Sequence, residues 1–310
     1  MNRILKAFSL LSLIVLSTGC GSDDDNDIAP PRDYGVQYTA EKVLIEDYLK
    51  SHYVTVNTET FEATFDSIKS TGNPSIWDQT EYPLQSKTVT KNDVVYTLYY
   101  LSFREGVNES PTAGDSALLT YRGTLLNDKQ FEYQPVTSVY SPFPSFQVLG
   151  FPEIIPLFKS GNYVDVPGQP AGFTDYGAGA MFVPSGLAYF NGSPSNLVPA
   201  YSPMIFTFQL LAVRYTDYDN DGVLNRYEVK EGINPATGVL YTVLDTDTDG
   251  DEIPDYLDSD DDGDGRLTRD EIRKPGTTNQ FYDFDEIPVC TETGLKVHLD
   301  KNLNCVRSDN

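Results

Sequence analysis

Apolar residues recur along this 310-residue chain in more than one rhythm, and each rhythm predicts a different element. From Glu41 to Leu49, the residues Leu44, Ile45, Tyr48 and Leu49 fall at helical spacing, which predicts one amphipathic helix. From Val94 to Phe103, Ala117 to Leu126 and Met204 to Val213 the chain turns β-branched and aromatic, with Gly- and Pro-rich turns between the runs. The middle of the protein is therefore mostly β. In the last run Met204, Phe206, Phe208 and Leu210 share one face while Ile205, Thr207 and Gln209 share the other, the alternation of a sheet with core on one side. Between the strands, Ile154, Ile155, Leu157 and Phe158 predict one small helix against that sheet.

The N-terminal pattern is of another kind. Arg3 and Lys6 precede an apolar run from Ala7 to Leu16 that is too short to cross a bilayer, which takes about 20 residues. Residues 1–19 read as a signal peptide. The small residues Ser17-Thr18-Gly19 running into Cys20 resemble a bacterial lipobox, in which the cysteine is lipidated and becomes the mature N-terminus; a soluble secreted protein cleaved nearby is the alternative. Gly21-Ser22-Asp23-Asp24-Asp25 resemble the acidic tag that sends some Gram-negative lipoproteins to the outer face of the outer membrane, or serve only as an acidic tether. The implied location is the bacterial envelope, with a lipid anchor in the outer membrane. Residues 20–40 are expected to be flexible and 41–90 a helical and irregular extension. In the last segment, 274–310, Cys290 and Cys305 are expected to pair: an exported protein meets an oxidising compartment, and closing a loop of about 15 residues is worth roughly 3 kcal/mol.

Charge narrows the possibilities. With 46 acidic and 22 basic side chains the formal charge is −24, which argues against nucleic acid as a partner, since phosphates are bound by basic stripes. The charge is also concentrated: Asp217 to Glu271 holds 18 of the acids and 4 of the bases, or −14 of the total. Such a tract is either disordered or neutralised by something cationic.

A resemblance emerges over residues 91–214. Gly114-Asp115-Ser116-Ala117-Leu118-Leu119-Thr120-Tyr121-Arg122-Gly123-Thr124-Leu125 with Phe131-Glu132, then Leu149-Gly150 with Ile154-Ile155 and Phe158, then Val183-Pro184-Ser185-Gly186-Leu187-Ala188-Tyr189, and finally Leu197-Val198-Pro199 leading into Ile205-Phe206-Thr207-Phe208, stand in the order found in FKBP-type prolyl isomerases. The resemblance implies an α+β fold, an antiparallel half-barrel sheet around a short helix, and peptidyl-prolyl cis-trans isomerase activity on proline-containing client polypeptides with no cofactor for catalysis. It places the proline ring among Tyr121, Phe131, Ile154, Ile155, Phe158, Tyr189 and Phe206, with Glu132 at the polar rim. It further implies that the Tyr189 hydroxyl donates to the carbonyl before proline and that the Ile155 amide donates to the next one. Phe158 stands where the family commonly has Trp, and Glu132 where it usually has Asp. The chemistry needs no nucleophile, because the barrier of about 20 kcal/mol comes from amide resonance, and an apolar pocket favours the twisted amide over the planar, solvated one. The chain has two histidines, His52 and His298, both outside this domain, which disfavours Ser-His-Asp hydrolysis and histidine-ligated zinc there.

The acidic window, 215–273, resolves into spacing. Asp217, Asp219, Asp221, Gly222, Val223, Asn225 and Glu228 occupy positions 1, 3, 5, 6, 7, 9 and 12 of an EF-hand-type loop, and Asp260, Asp262, Asp264, Gly265, Arg266, Thr268 and Glu271 repeat them. Alternate carboxylates converge on one hard cation, glycine permits the sharp turn, position 7 offers its carbonyl and position 12 closes the shell. Between them Asp247, Asp249, Asp251, Ile253, Asp255 and Asp258 resemble a thrombospondin type 3 calcium repeat, with Glu252 where glycine is usual. These loops read as structural Ca2+ sites rather than switches, because a strand precedes Asp217. Two functions follow: an envelope-anchored folding catalyst, or a catalytically inactive FKBP-like binding or calcium-dependent adhesion protein.

Overall fold

The computed structural model of the chain describes residues 30–70, 72–135, 140–165, 167–168, 172–229 and 246–308. The leader, Cys20 and the acidic stretch after it lie outside the described residues, as does 230–245 between the first two acidic loops. Among the described residues no helix is long and apolar enough to cross a membrane.

Helix α1, Tyr34–Ser51, begins inside the stretch expected to be tether. Its start is set by Asp33, whose side chain accepts from the Val36 N–H at 2.9 Å, a cap worth about 1 kcal/mol. The buried face runs through Gln37, Tyr38, Glu41, Ile45, Tyr48 and Leu49, while Leu44 is 54% exposed. The stripe is thus longer than the apolar spacing alone predicts, because two polar residues belong to it.

A hairpin follows, β1 (His52–Val56) with β2 (Ala63–Ser67). The main sheet is antiparallel and comprises β3 (Gln85–Lys91), β4 (Val94–Arg104), β5 (Ser116–Leu125), β6 (Gln130–Gln134), β7 (Ser141–Pro142), β10 (Gly177–Val183) and β11 (Met204–Arg214), in the order β3-β4-β10-β11-β5-β6 with β7 on β5. A small hairpin, β8 (Asn162–Val164) with β9 (Gly172–Thr174), stands apart. All seven residues of the central strand β10 are buried. On one face Met204, Phe206, Phe208 and Leu210 join the core that encloses the short helix α2, Gly150–Ile154, and the 3-10 turn after it. A β-carbon on Gly150 would lie 2.7 Å from Val183 Cγ2, so glycine lets α2 rest directly on β10. The other face is covered too: Ile205, Phe182, Ala180 and Leu101 pack with Ile45, Tyr48, Leu49 and Ile76. The one-sided sheet expected from the alternation is therefore two-sided at its centre, since α1 and the first hairpin supply a second core.

Beyond β11 the chain holds its shape with little regular structure: one-turn helices α3 (Asn225–Glu228) and α4 (Thr268–Glu271), isolated bridges, and a Cys290–Cys305 disulfide with Cα atoms 5.4 Å apart. Val223, Ile272, Ile287, Cys290 and Val297 form a third, small core.

Candidate functional site

Strand pairing brings Tyr121, Phe131, Glu132 and Phe206 of the predicted pocket together. Phe206 on β11 pairs in register with Gly123 on β5, and Gly123 with Glu132 on β6. A β-carbon on Gly123 would lie 2.5 Å from Phe131 Cζ and 3.0 Å from Phe206 Cε1, so the missing side chain is what lets Phe131 fold across β5. Phe131 and Phe206 then meet edge to face at 5.7 Å, and Tyr121 meets Phe206 at 6.1 Å. The half-buried Tyr121 hydroxyl donates to Glu132 Oε1 at 2.9 Å, and burial together with that carboxylate raises its pKa well above the ordinary phenol value.

Tyr189 arrives from the loop after β10. Leu149 N–H donates to Leu187 O at 2.8 Å, tying this loop to the start of α2. From the other side the buried Glu41 carboxylate of α1 accepts from the Ser185 N–H at 2.7 Å, from the Ser185 hydroxyl and from Gln37 Nε2 at 2.6 Å. Tyr189 is half-buried, its pKa raised by burial and by the charge of Glu132, and among the described residues its hydroxyl has no hydrogen-bond partner. It is a free donor beside a carboxylate-anchored phenol.

Two expected members stand elsewhere. Phe158 packs edge to face on Phe208 at 4.9 Å and on Tyr100 at 6.4 Å, with its ring tip over Gly179, away from Tyr121 and Phe206. The aromatic beside Tyr121 and Phe206, each at 5.0 Å, is Phe151 of α2. The Ile155 amide is not free to meet a substrate, because it donates to Phe151 O and closes the helical turn; Ile154 and Ile155 are both fully buried beneath the site. The resemblance passes over Phe151 because its aromatic floor position falls on Phe158; the two aromatics flank the same pair of isoleucines, and the signal that separates them is Gly150, whose close packing on β10 fixes which turn faces the sheet. Phe146 was also missed. It stacks on Phe151 at 4.6 Å, and Phe151 and Phe206 are each only 1% exposed. Open clefts of about 130 and 210 Å3 lie instead on the opposite face of β5 and β11, around Arg122, Thr207 and the β2 hairpin.

The three acidic loops share one backbone pattern. Position 6 donates to the carboxylate of position 1 in each: Gly222 to Asp217, Glu252 to Asp247 and Gly265 to Asp260, at 3.0–3.2 Å. Position 7 donates to position 5 at 2.7–2.8 Å, from Val223, Ile253 and Arg266. Position 6 has a left-handed φ throughout, +102° at Gly222, +91° at Gly265 and +80° at Glu252. The middle loop therefore keeps the shape even where glycine is absent. Position 9 differs from expectation in all three. Asn225, Asp255 and Thr268 accept from the backbone N–H of position 2, namely Tyr218, Thr248 and Asp261. Asn225 also donates to Gly114 O at 2.9 Å, where a β-carbon on Gly114 would lie 2.8 Å from its Cβ, so this residue binds the loop to the chain entering β5.

Electrostatics at the loops favour a cation. Carboxylate oxygens of Asp219, Asp221, Glu228 and Asp261 lie within 4.8 Å of one another, as do those of Asp247, Asp249 and Asp251, and those of Asp260, Asp262 and Asp264. Among the described residues, buried oxygens on Asp217, Asp219, Asp221, Glu228, Asp260, Asp262, Asp264 and Glu271 have no hydrogen-bond partner. Burial first, and neighbouring carboxylates after it, push Asp262 up to about 6, Asp221 to about 7, Asp219 and Glu271 to about 8, and Glu228 to about 11. Oxygen-only shells of this kind suit a hard divalent cation such as Ca2+.

A family model described as BamM C-terminal matches residues 214–297, the acidic loops and most of the segment after them. No curated protein matches the sequence. Among solved structures, a peptidyl-prolyl cis-trans isomerase from Pseudomonas syringae pv. tomato is similar at 13% identity, covering 60% of this chain and 98% of that one with a TM-score of 0.35. FkpA from Escherichia coli is similar at 19% identity and a TM-score of 0.34, over 58% of this chain and 61% of that one, less than two thirds of its length. The FKBP domains of wheat FKBP73 follow at 14% identity and 0.31, over 40% of this chain and 48% of that one. The fold itself is α+β, an antiparallel half-barrel enclosing a short helix.

Proposed function

We propose that this chain is a peptidyl-prolyl cis-trans isomerase that acts on proline-containing segments of client proteins in the bacterial envelope, held at the outer membrane through a lipid on Cys20. The observation that carries the reading is the arrangement around Phe206: an aromatic box of Tyr121, Phe131 and Phe151, one phenol tied to Glu132, and a free Tyr189 hydroxyl at its edge. The apolar walls strip solvent from the amide, which favours the twisted form in which nitrogen no longer conjugates. The Tyr189 hydroxyl supplies a donor for the carbonyl before proline. The acidic loops bind Ca2+ as structural ions and make the C-terminal region a rigid appendage of β11.

A second reading, a binding protein without catalysis, is favoured by one feature: Phe146 lies flat on Phe151, so a proline ring must displace it to reach the floor. An isomerisation assay on a short proline peptide separates the two. The wild-type chain should outpace the spontaneous rate of tens to hundreds of seconds. Phe151→Leu should lose at least about tenfold in kcat/KM, about 1.4 kcal/mol of transition-state stabilisation, while Phe158→Leu, equally buried, should stay near wild type. A wild-type rate no better than spontaneous would establish the binding reading, and equal losses in both variants would remove Phe151 from the floor.

A further inference from the structure

We infer that Asp261, which occupies none of the liganding motif positions, is a ligand of the cation held by the first acidic loop, so that one ion ties residues 217–228 to residues 260–271. The inference rests on the reading of these loops as cation sites. Asp260, Asp262 and Asp264 converge within their own loop, and the residue between the first two faces the other way. It faces the first loop, where its carboxylate gathers with those of Asp219, Asp221 and Glu228 inside 4.8 Å. Asp261 is 1% exposed, and neither of its oxygens has a hydrogen-bond partner among the described residues. A buried carboxylate without a partner is strongly unfavourable unless a cation or a proton neutralises it.

The first loop also has a place for it. Position 9, where the motif supplies a ligand, is Asn225, and both ends of its side chain are engaged, the carbonyl with Tyr218 N–H at 3.0 Å and the amide with Gly114 O at 2.9 Å. An oxygen from the third loop stands in for it. The backbone of Asp261 is itself held in register by Thr268, the ninth residue of its own loop, through the 3.3 Å contact from Asp261 N–H to Thr268 Oγ1. The residue that shapes one loop therefore aims a ligand into the other. Four carboxylates in one cluster would leave an ion of charge +2 over-neutralised, a composition that selects a divalent or trivalent hard cation over a monovalent one.

Calcium titration of the full chain by calorimetry tests this, with Asp261→Asn, Asp219→Asn, Asp262→Asn and the paired variants. Asp261→Asn should lose one calcium equivalent or weaken one site at least tenfold. Asp219→Asn with Asp261→Asn should lose no more than either alone, because both serve one ion, whereas Asp262→Asn with Asp261→Asn should lose two. Melting adds a sign: Asp261→Asn should melt below wild type in calcium and above it in EDTA, where one of four crowded charges has gone. Wild-type stoichiometry and affinity in Asp261→Asn would overturn the assignment, as would loss of two equivalents in the first pair. A lower melting temperature in both buffers would make Asp261 a packing residue. A wild-type chain that binds no calcium would instead overturn the cation reading of all three loops, and this assignment with it.

Discussion

Removing calcium should destabilise this protein more at about pH 8.5 than at about pH 6.5, and the carboxylate arrangement sets both the sign and the window. Extracellular calcium modules bind with Kd of about 0.1–1 mM. At about 5 mM free calcium, each loop that binds only in the folded state adds roughly 1–2 kcal/mol by mass action, or about 3–7 kcal/mol for three loops unfolding together. For chains of this size each kcal/mol moves Tm by about 2–4 °C, so EDTA at about pH 8.5 should lower it by on the order of 10 °C. Without the ion, Asp221, Asp219 and Glu271 have folded-state pKa values raised to about 7, 8 and 8. A raised carboxylate contributes stability while it stays protonated, and that contribution is lost as pH rises through the folded value. The chelated protein should therefore gain stability as pH falls from about 8.5 to about 6.5, while calcium, competing with protons, loses its advantage. The two melting curves should draw closer as pH falls. Groups of opposite sign lie below the window: His298, buried and lowered to about 4, charges only in acid, and Glu46, lowered by Lys42, releases its stabilisation below the ordinary carboxylate range. Differential scanning fluorimetry at several pH values, with and without EDTA, reads the effect directly. A melting curve unmoved by EDTA at about pH 8.5, or a chelated protein that melts lower at about pH 6.5 than at 8.5, would refute the reasoning.

Two further predictions follow from buried pairs. Glu41→Ala strands the Ser185 N–H and hydroxyl beneath α1, at about 1–3 kcal/mol for each buried unsatisfied group. Chemical denaturation should show a loss of about 2–5 kcal/mol, and Tyr189, carried by the same loop, should become more mobile by hydrogen exchange; a loss under about 0.5 kcal/mol would show that Glu41 does not hold that loop. Cys290→Ser with Cys305→Ser opens a link of sequence separation 15 and should cost about 3 kcal/mol, seen as faster proteolysis after 274. Unchanged cleavage there would mean that the small core around Val223 and Ile272 suffices.

Much of this was legible in the chain because repeating patterns are local. Met204, Phe206, Phe208 and Leu210 announce a face by period two, and the loops announce their acids by alternation, since both are fixed by backbone geometry within a dozen residues. What stayed hidden depends on contacts between distant segments. No spacing says that α1 and the first hairpin will cover the second face of β10 and β11, where Ile205, with Thr207 and Gln209, reads as the outward side of a half-covered sheet. Phe151 and Phe158 are equivalent by residue type and by their nearness to Ile154 and Ile155; only the docking of Gly150 against Val183 decides between them. The ninth loop position shows the limit most sharply. Motif logic treats Asn225 as a ligand because it counts along one loop, whereas the folded chain uses Asn225 to anchor that loop at Gly114. That anchor reaches the pocket through few steps: Asp115 O accepts from Phe143 N–H at 3.0 Å, and Phe143 packs on Phe146, which covers Phe151. The first acidic loop and the aromatic box therefore share one short stretch of chain, a relation written in three dimensions and absent from any single window of sequence.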